Sequence, residues 1–385
     1  MIIKSKKFNN LMRGNMSENI QLEIKNIGPI HEANIDLGKL NIIGGANSTG
    51  KSTSSRLLYC FLFSASKEGK NYYDGMVGAE KSQMGDSSSS QINQNEKYME
   101  VMLEIFQSEF DYSPVDNEYG IGTASFKGEA DENNNDFDWT LYVGHDESGT
   151  ELRQKLDDPL FLGNVVYMDS ISPLEVMRLE DNMKMPHHFK ALFDKFRYKS
   201  ERDVDEDLNS RFSSKITDLI HGRFEYMEDD LDCNGEGFKF ERDNVSFSMK
   251  TSSSGLKQIG SIQMLINNNQ LARNDFLIID EPEVNLHPEW QVRLAELLVL
   301  LVHDLNVTVY VNSHSPHFIE AIEVLSVKYR LRDETRFYMT SFVEEFNKYD
   351  FVELDYSNLR ELYRNLGNPY NEINKIRLEN DLKGL

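Results

Sequence analysis

The 385 residues carry 41 Lys and Arg against 64 Asp and Glu, a formal net charge of −23, which argues against indiscriminate nucleic-acid binding by the whole surface but leaves room for a local basic groove. No run approaches 18 apolar residues, so no membrane span is expected, and the polar start Met1-Ile-Ile-Lys-Ser-Lys-Lys lacks the apolar core of a signal peptide. Two cysteines, Cys60 and Cys233, form neither a disulfide framework nor a zinc spacing, and a reducing cytoplasm is the expected compartment.

In chain order, residues 1–19 read as a flexible tail, with Met16 a second plausible start. Gln21–Ile27 alternates like a strand, and Ala33–Leu37 continues as its hairpin partner. Lys39–Ile43 is a further apolar strand that runs into Gly45-Ala-Asn-Ser-Thr-Gly-Lys-Ser52, the pattern G-x-x-x-x-G-K-S, followed by an apolar helix around Leu57–Phe63. Such a loop curls so that its N–H groups form an anion nest at the positive end of the helix. Gly45, Asn47, Ser48, Thr49, Gly50, Lys51, Ser52 and Thr53 are therefore expected to cradle a nucleotide's phosphates. Lys51 would reach the β- and γ-phosphates, and the Ser52 hydroxyl would coordinate Mg²⁺.

The chain divides on this reading into an N-terminal core part (20–65), a middle region (66–244) and a C-terminal core part (245–385). Composition collapses from Ser64 to Lys97, and residues 80–97, with Ser87-Ser-Ser-Ser90, read as a mobile linker. Helical spacing returns at Tyr98–Phe106; Thr123–Phe126 and Trp139–Val143 are short strands; Asn164–Asp169 is a buried-strand candidate. Residues 172–224 are largely helical, interrupted by Pro186, and hold a basic cluster of Lys184, His187, His188, Lys190, Lys195, Arg197, Lys199 and Arg202. That cluster is either a surface for DNA or a partner, or a solvated helix face. Phe224–Tyr226, Phe238–Arg242 and Val245–Met249 read as strands.

Phe276-Leu-Ile-Ile-Asp-Glu281 is an apolar run ending in two carboxylates, as a buried parallel strand delivers acids at its C-terminal end. Asp280 would bind Mg²⁺, and Glu281 would be the general base that orients the attacking water. Val307–Asn312 runs into Ser313-His314-Ser-Pro316, which places His314 at a strand end where it can bond a γ-phosphate. Thr251–Gln258 is a Ser/Gly-rich turn before the helix Ile259–Ile266, either a second anion device or an ordinary cap by Ser253 or Ser254. Strands at Arg336–Ser341 and Phe351–Leu354 and a helix at Ser357–Leu366 close the sequence.

The ordered set Gly45–Ser52, Ser252–Lys257, Ile278–Glu283, Asn285-Leu-His-Pro288 and Ser313–Pro316 resembles the ABC-type ATPases outside the transporters. These include the SMC, RecF and OLD proteins and the AAA-type ATPases of anti-phage systems such as Septu. The resemblance covers about residues 20–65 and 245–325, and residues 66–244 carry no motif of the group. It implies an α/β head with a mixed or parallel sheet core and a largely helical insertion. It also implies ATP and Mg²⁺ as cofactors, and a head-to-tail homodimer with two ATP molecules at the interface. In that arrangement Ser253 and Gly255 match the signature loop that touches the γ-phosphate of the other subunit, and Asn285 and His287 lie on the D-loop. Ser254 and Leu256 depart from the usual Gly and Gln/Glu of the signature. Only about 60 residues follow Ser326, short of the roughly 100 of a separate nuclease fold, so no nuclease domain is expected in this chain. The expected function is an ATP-gated dimerisation switch that controls a partner effector, a nuclease or toxin, in anti-phage defence. The alternatives are an ATP-dependent DNA-repair clamp and a nucleotide-dependent scaffold with little turnover.

Overall fold

Leu22, Ile24 and Ile27 alternate with polar residues and turn inward on β1 (Gln21–Ile27), which pairs with β2 (Ile30–Asp36) as an antiparallel hairpin. β3 (Leu40–Gly44) follows, buried at every position. The computed structural model describes residues 20–84, 94–110, 122–129, 136–143, 148–152, 163–170, 185–226, 238–243, 245–248, 254–367 and 375.

After β3 come α1 (Lys51–Ser64), α2 (Lys67–Met84) and α3 (Gln94–Glu109), then β4 (Gly122–Glu129), β5 (Asp136–Val143), β6 (Ser148–Leu152) and β7 (Val165–Met168). Two helices, α4 (His187–Arg197) and α5 (Glu206–Ile220), lead to a small antiparallel sheet of β8 (Arg223–Tyr226), β9 (Phe238–Arg242) and β10 (Val245–Ser248). The C-terminal part is α6 (Ser254–Asn267), β11 (Phe276–Asp280), α7 (Pro288–Leu305), β12 (Thr308–Ser313), α8 (Pro316–Lys328), β13 (Thr335–Val343), β14 (Lys348–Leu354) and α9 (Leu359–Leu366).

Eleven strands form one sheet in the order β6-β5-β4-β1-β2-β14-β13-β3-β12-β11-β7. Its β7-β11-β12-β3-β13 half is parallel, and the rest is antiparallel except where β14 meets β2. Near-continuous apolar runs suit strands covered on both faces. Ile43, Ile278 and Tyr310 pack with α1 and α3 on one face. Their sequence neighbours Ile42, Ile279, Val309 and Val311 pack with α4 to α9 on the other. The α/β head with a mixed sheet is the architecture expected. The middle stretch, residues 66–244, supplies β4 to β7 to that same sheet.

Two expectations are corrected. Residues 67–84 form a helix although they lie in the stretch where composition collapses, and residues 80–84 fall in the expected linker. Tertiary ties override weak propensity here: Glu68 accepts the Val165 N–H at 3.2 Å and pairs with Lys195, and Tyr73 is buried. α3 likewise begins at Gln94, inside the expected linker, while residues 85–93 lie outside the described residues.

The basic cluster is the second correction, since it is not one exposed face: part of it is buried in the head. His188, Leu192, Lys195 and Phe196 share the inward side of α4, spaced one helical turn apart. His187 and Lys195 are buried with them, and Arg202 is engaged by the wholly buried Asp275. Lys190, Arg197 and Lys199 are exposed, and Lys184 lies outside the described residues.

Candidate active site

β3 ends in the phosphate-binding loop, and two close approaches dictate its glycines. A Cβ on Gly45 would sit 2.0 Å from Thr340 Oγ1, and one on Gly50 would sit 2.5 Å from Ile30 Cγ1. Gly50 also has φ +96° as the residue that caps α1, and Ser48 has φ +63°. Thr49 is buried and donates its hydroxyl to Ala46 O at 3.0 Å, while Asn47 and Ser48 are exposed at the loop tip. Thr53 lies farther along the first turn of α1, facing the β1–β2 turn at Gly28.

Lys51 is 4% exposed and donates to Gly45 O at 3.0 Å and Ala46 O at 2.7 Å. Its Nζ also lies 3.3 Å from Glu281 Oε1. Beneath the loop, α1 is anchored by hydroxyl pairs: Ser54 with Tyr310 at 2.8 Å and Ser55 with Tyr167 at 3.1 Å.

Parallel pairing of β3 with β12, and of β12 with β11, brings the ends of all three strands together. Asp280 at the end of β11 is 3% exposed. Asn312 of β12 donates to its Oδ1 at 2.8 Å and to Ser55 Oγ at 3.0 Å, and the nearby Ser52 hydroxyl offsets part of the cost of burying the carboxylate. Burial holds the Asp280 carboxyl above the usual carboxylate range, and the charges of Asp169 and Glu281 add to the effect.

Glu281 follows the strand at φ +45°, an uncommon backbone conformation for a non-glycine residue, with its N–H held by Asn312 O at 2.9 Å. His314 Nδ1 lies 3.2 Å from Glu281 Oε1. The His314 imidazole, with Lys51 beside it, holds the Glu281 carboxyl below its ordinary value. Reciprocally, Glu281 raises the His314 imidazole above its own.

Glu283 has a role that its place in the sequence motif does not reveal. It is buried, and its Oε1 accepts from Ser313 Oγ at 2.6 Å, His314 N at 3.0 Å and Ser315 N at 3.2 Å. It fixes the turn that presents His314. Asn312, the strap between α1 and Asp280, carries one signal in the sequence, a polar residue closing an apolar strand. Asn285 stands exposed at φ +63° in the loop after β11, and exposed His287 caps α7, accepting from Glu289 N at 3.4 Å. Gly255 lies in the first turn of α6, and Ser253 lies outside the described residues.

The oxygens of Ser52 and Asp280 suit a hard divalent cation. Among the described residues Asp280 has no cationic side chain within ion-pair distance, and no three His, Cys, Asp or Glu side chains converge as a metal cage. Mg²⁺ fits such a place, because it is commonly held by one or two protein groups together with substrate phosphates and water.

Among the described residues, no helix is long and apolar enough to cross a membrane. The family described as "AAA ATPase domain" matches residues 168–319, which include β11, β12 and the acidic pair but not the phosphate loop. No curated protein matches the chain. Among solved structures, the chain is similar to an SMC head bound to the C-terminal winged-helix domain of ScpA, with TM-score 0.51 and 13% identity over 88% of this chain and 98% of that one. It is also similar to the SMC head domain from Thermotoga maritima, with TM-score 0.45 and 12% identity over 88% of this chain and 100% of that one.

Proposed function

We propose that this chain, a P-loop ATPase of the ABC type with the fold of an SMC head, hydrolyses ATP and uses the cycle as a dimerisation switch. One observation carries the reading: Lys51 and His314 converge on Glu281 at the C-terminal ends of parallel strands, beside the phosphate loop. Lys51, now bonded to loop carbonyls, is the group that exchanges them for β- and γ-phosphate oxygens. Ser52 and Asp280 would hold Mg²⁺, which would supply positive charge to offset that developing on the phosphates. Glu281 orients a water and takes its proton as the water's oxygen bonds to the γ-phosphorus and ADP leaves. His314 donates to the γ-phosphate and keeps Glu281 ionised.

ATP then joins two heads, with Ser253 and Gly255 of each reaching the γ-phosphate on the other and the Asn285–His287 loop crossing the interface. Hydrolysis releases them. The switch controls a partner effector, a nuclease or toxin, in anti-phage defence; the likeness of the ordered motifs to defence ATPases supports this. A DNA-clamp reading through the basic cluster has less support, because His188, Lys195 and Arg202 are engaged inside the head.

The test is a pull-down of tagged Glu281→Gln from its host with ATP and Mg²⁺, reading proteins and nucleic acid together. A stoichiometric second polypeptide is expected. A homodimer with DNA alone would move the reading to a clamp. Multiple-turnover phosphate release that persists unchanged in Glu281→Gln would remove the assignment of the base.

A further inference from the structure

Beside the site, the half-buried Asp169 meets the wholly buried pair His188 and Glu109. Asp169 directly follows β7, whose register with β11 pairs Met168 with Ile279. One residue farther on, Asp169 and Asp280 leave adjacent parallel strands side by side, and Asp280 feels the charge of Asp169.

The two oxygens of Asp169 are used differently. Oδ1 accepts from Ser170 N at 2.6 Å and Ser170 Oγ at 3.0 Å. Oδ2 faces Arg56 Nη2 at 3.7 Å and His188 Nε2 at 3.8 Å, both beyond hydrogen-bond length. Oδ2 is thus a carboxylate oxygen flanked by Arg56 and His188 but free to accept from a water.

His188 is wholly buried at the start of α4. Glu109, the last residue of α3, holds it twice: Oε2 lies 2.6 Å from His188 Nδ1, and Oε1 accepts the His188 backbone N–H at 2.9 Å. Glu109 at Nδ1 fixes the ring so that its Nε2 edge faces Asp169. That Nε2 has no hydrogen-bond partner among the described residues. An apolar side chain would fill the same space without a buried unpaired nitrogen, so packing alone does not account for an imidazole here.

We propose that Asp169 is an additional carboxylate of the metal site, accepting hydrogen bonds from water on the cation, and that the buried Glu109–His188 pair positions it. This rests on the reading of Ser52 and Asp280 as the cation's protein ligands. Mg²⁺ retains several waters in such sites, and those waters need oriented acceptors. Outer partners that orient a site's groups are typically worth about 10- to 100-fold in metal affinity. Asp169 accepts from the bound water directly, whereas His188 acts only through Asp169 and is a positioning residue.

The test uses Mn²⁺ as the probe, with free Mn²⁺ read by electron paramagnetic resonance in the presence of a non-hydrolysable ATP analogue. Asp169→Asn is expected to raise the Mn²⁺ Kd about tenfold and to leave metal-free binding of the analogue unchanged. His188→Gln is expected to raise it in the same direction, and the double variant to be no weaker than Asp169→Asn alone, because both lie on one route. A lowered Tm with an unmoved Mn²⁺ Kd in His188→Gln, or additive effects in the double variant, would overturn the positioning role. If His188→Gln does not fold, Glu109→Gln takes its place in the cycle. An unmoved Kd in Asp169→Asn would overturn the site itself. Wild-type protein that binds neither the analogue nor Mn²⁺ would instead overturn the ATPase reading on which this inference stands.

Discussion

His314 Nδ1 lies 3.2 Å from Glu281 Oε1, and each residue moves the other's proton affinity in the direction that keeps both charged. His314 is raised above its ordinary 6.5, so its contribution is complete below 6.5 and lost as pH rises through the higher folded value. Glu281 is lowered below its ordinary 4.5, so its contribution is complete above 4.5 and lost as pH falls through the lower folded value. Phosphate release is expected to show an alkaline limb above pH 6.5 that His314→Gln abolishes. Glu281→Gln should reduce kcat by about 10²- to 10⁴-fold at every pH. A wild-type alkaline limb retained in His314→Gln would place the titration elsewhere.

Glu283 gathers the Ser313 hydroxyl and the N–H groups of His314 and Ser315 on one oxygen. Glu283→Ala strands those donors and should cost about 1–3 kcal/mol in urea unfolding. Because the same turn carries His314, kcat should fall by more than the stability loss explains at temperatures where the variant is fully folded. Glu283→Gln, which keeps an acceptor, should recover most of both.

Gly45→Ala should be destabilising by about 1–3 kcal/mol, since its methyl group would overlap Thr340 across the strand pair. Thr340→Ala removes the two atoms nearest to that methyl beyond Cβ, Oγ1 and Cγ2. A double-mutant cycle read by thermal unfolding should show partial rescue. Strict additivity would mean that the glycine is required for some reason other than this contact.

His187 is buried with its Nδ1 2.9 Å from the Tyr59 hydroxyl, and burial lowers its pKa from 6.5 to about 4. The unfolded chain therefore takes up a proton that the native state refuses, and stability falls as pH drops from 6.5 toward 4. Unfolding free energies measured across that window should decline by up to about 3 kcal/mol from this residue alone. His187→Gln should flatten that slope, even though it lowers stability at neutral pH.

Local chemistry made the catalytic half of the sheet legible. β3, β11 and β12 are apolar runs ending in Gly45, Asp280 and Ser313–His314, and their parallel pairing follows from burial on both faces. The rest depended on distant partners. α2 is not legible as a helix because its ties, Glu68 to Lys195 and to Val165 N, join residues about 100 apart or more. Lys195 and the histidines of α4 look solvated because charge suggests exposure, whereas their periodicity with Leu192 and Phe196 places them inside. β4 and β5 read as strands of a separate region, yet β4 pairs with β1, a long-range choice that the alternation of either strand leaves open. Glu283 sits in a recognisable motif, but its three donors come from a different strand end.

The sheet order also bears on how the chain is born. β3 lies between β12 and β13, and its register pairs Gly44 with Ser313 and Met339. During synthesis at about 5–20 residues per second, the roughly 300 residues between β3 and β13 take on the order of 15–60 s to emerge. Until β12 emerges near the end of that interval the apolar Leu40–Ile43 edge has neither parallel neighbour, and the glycine loop has no strand end to lean on. Such non-local pairing is slow to form and exposes unpaired strand to aggregation. A nascent head stalled before Thr308 should therefore be captured by holdase chaperones, whereas one released after Leu354 should not. The active site is thus among the last parts of the molecule to exist, which delays ATP binding until the sheet is complete.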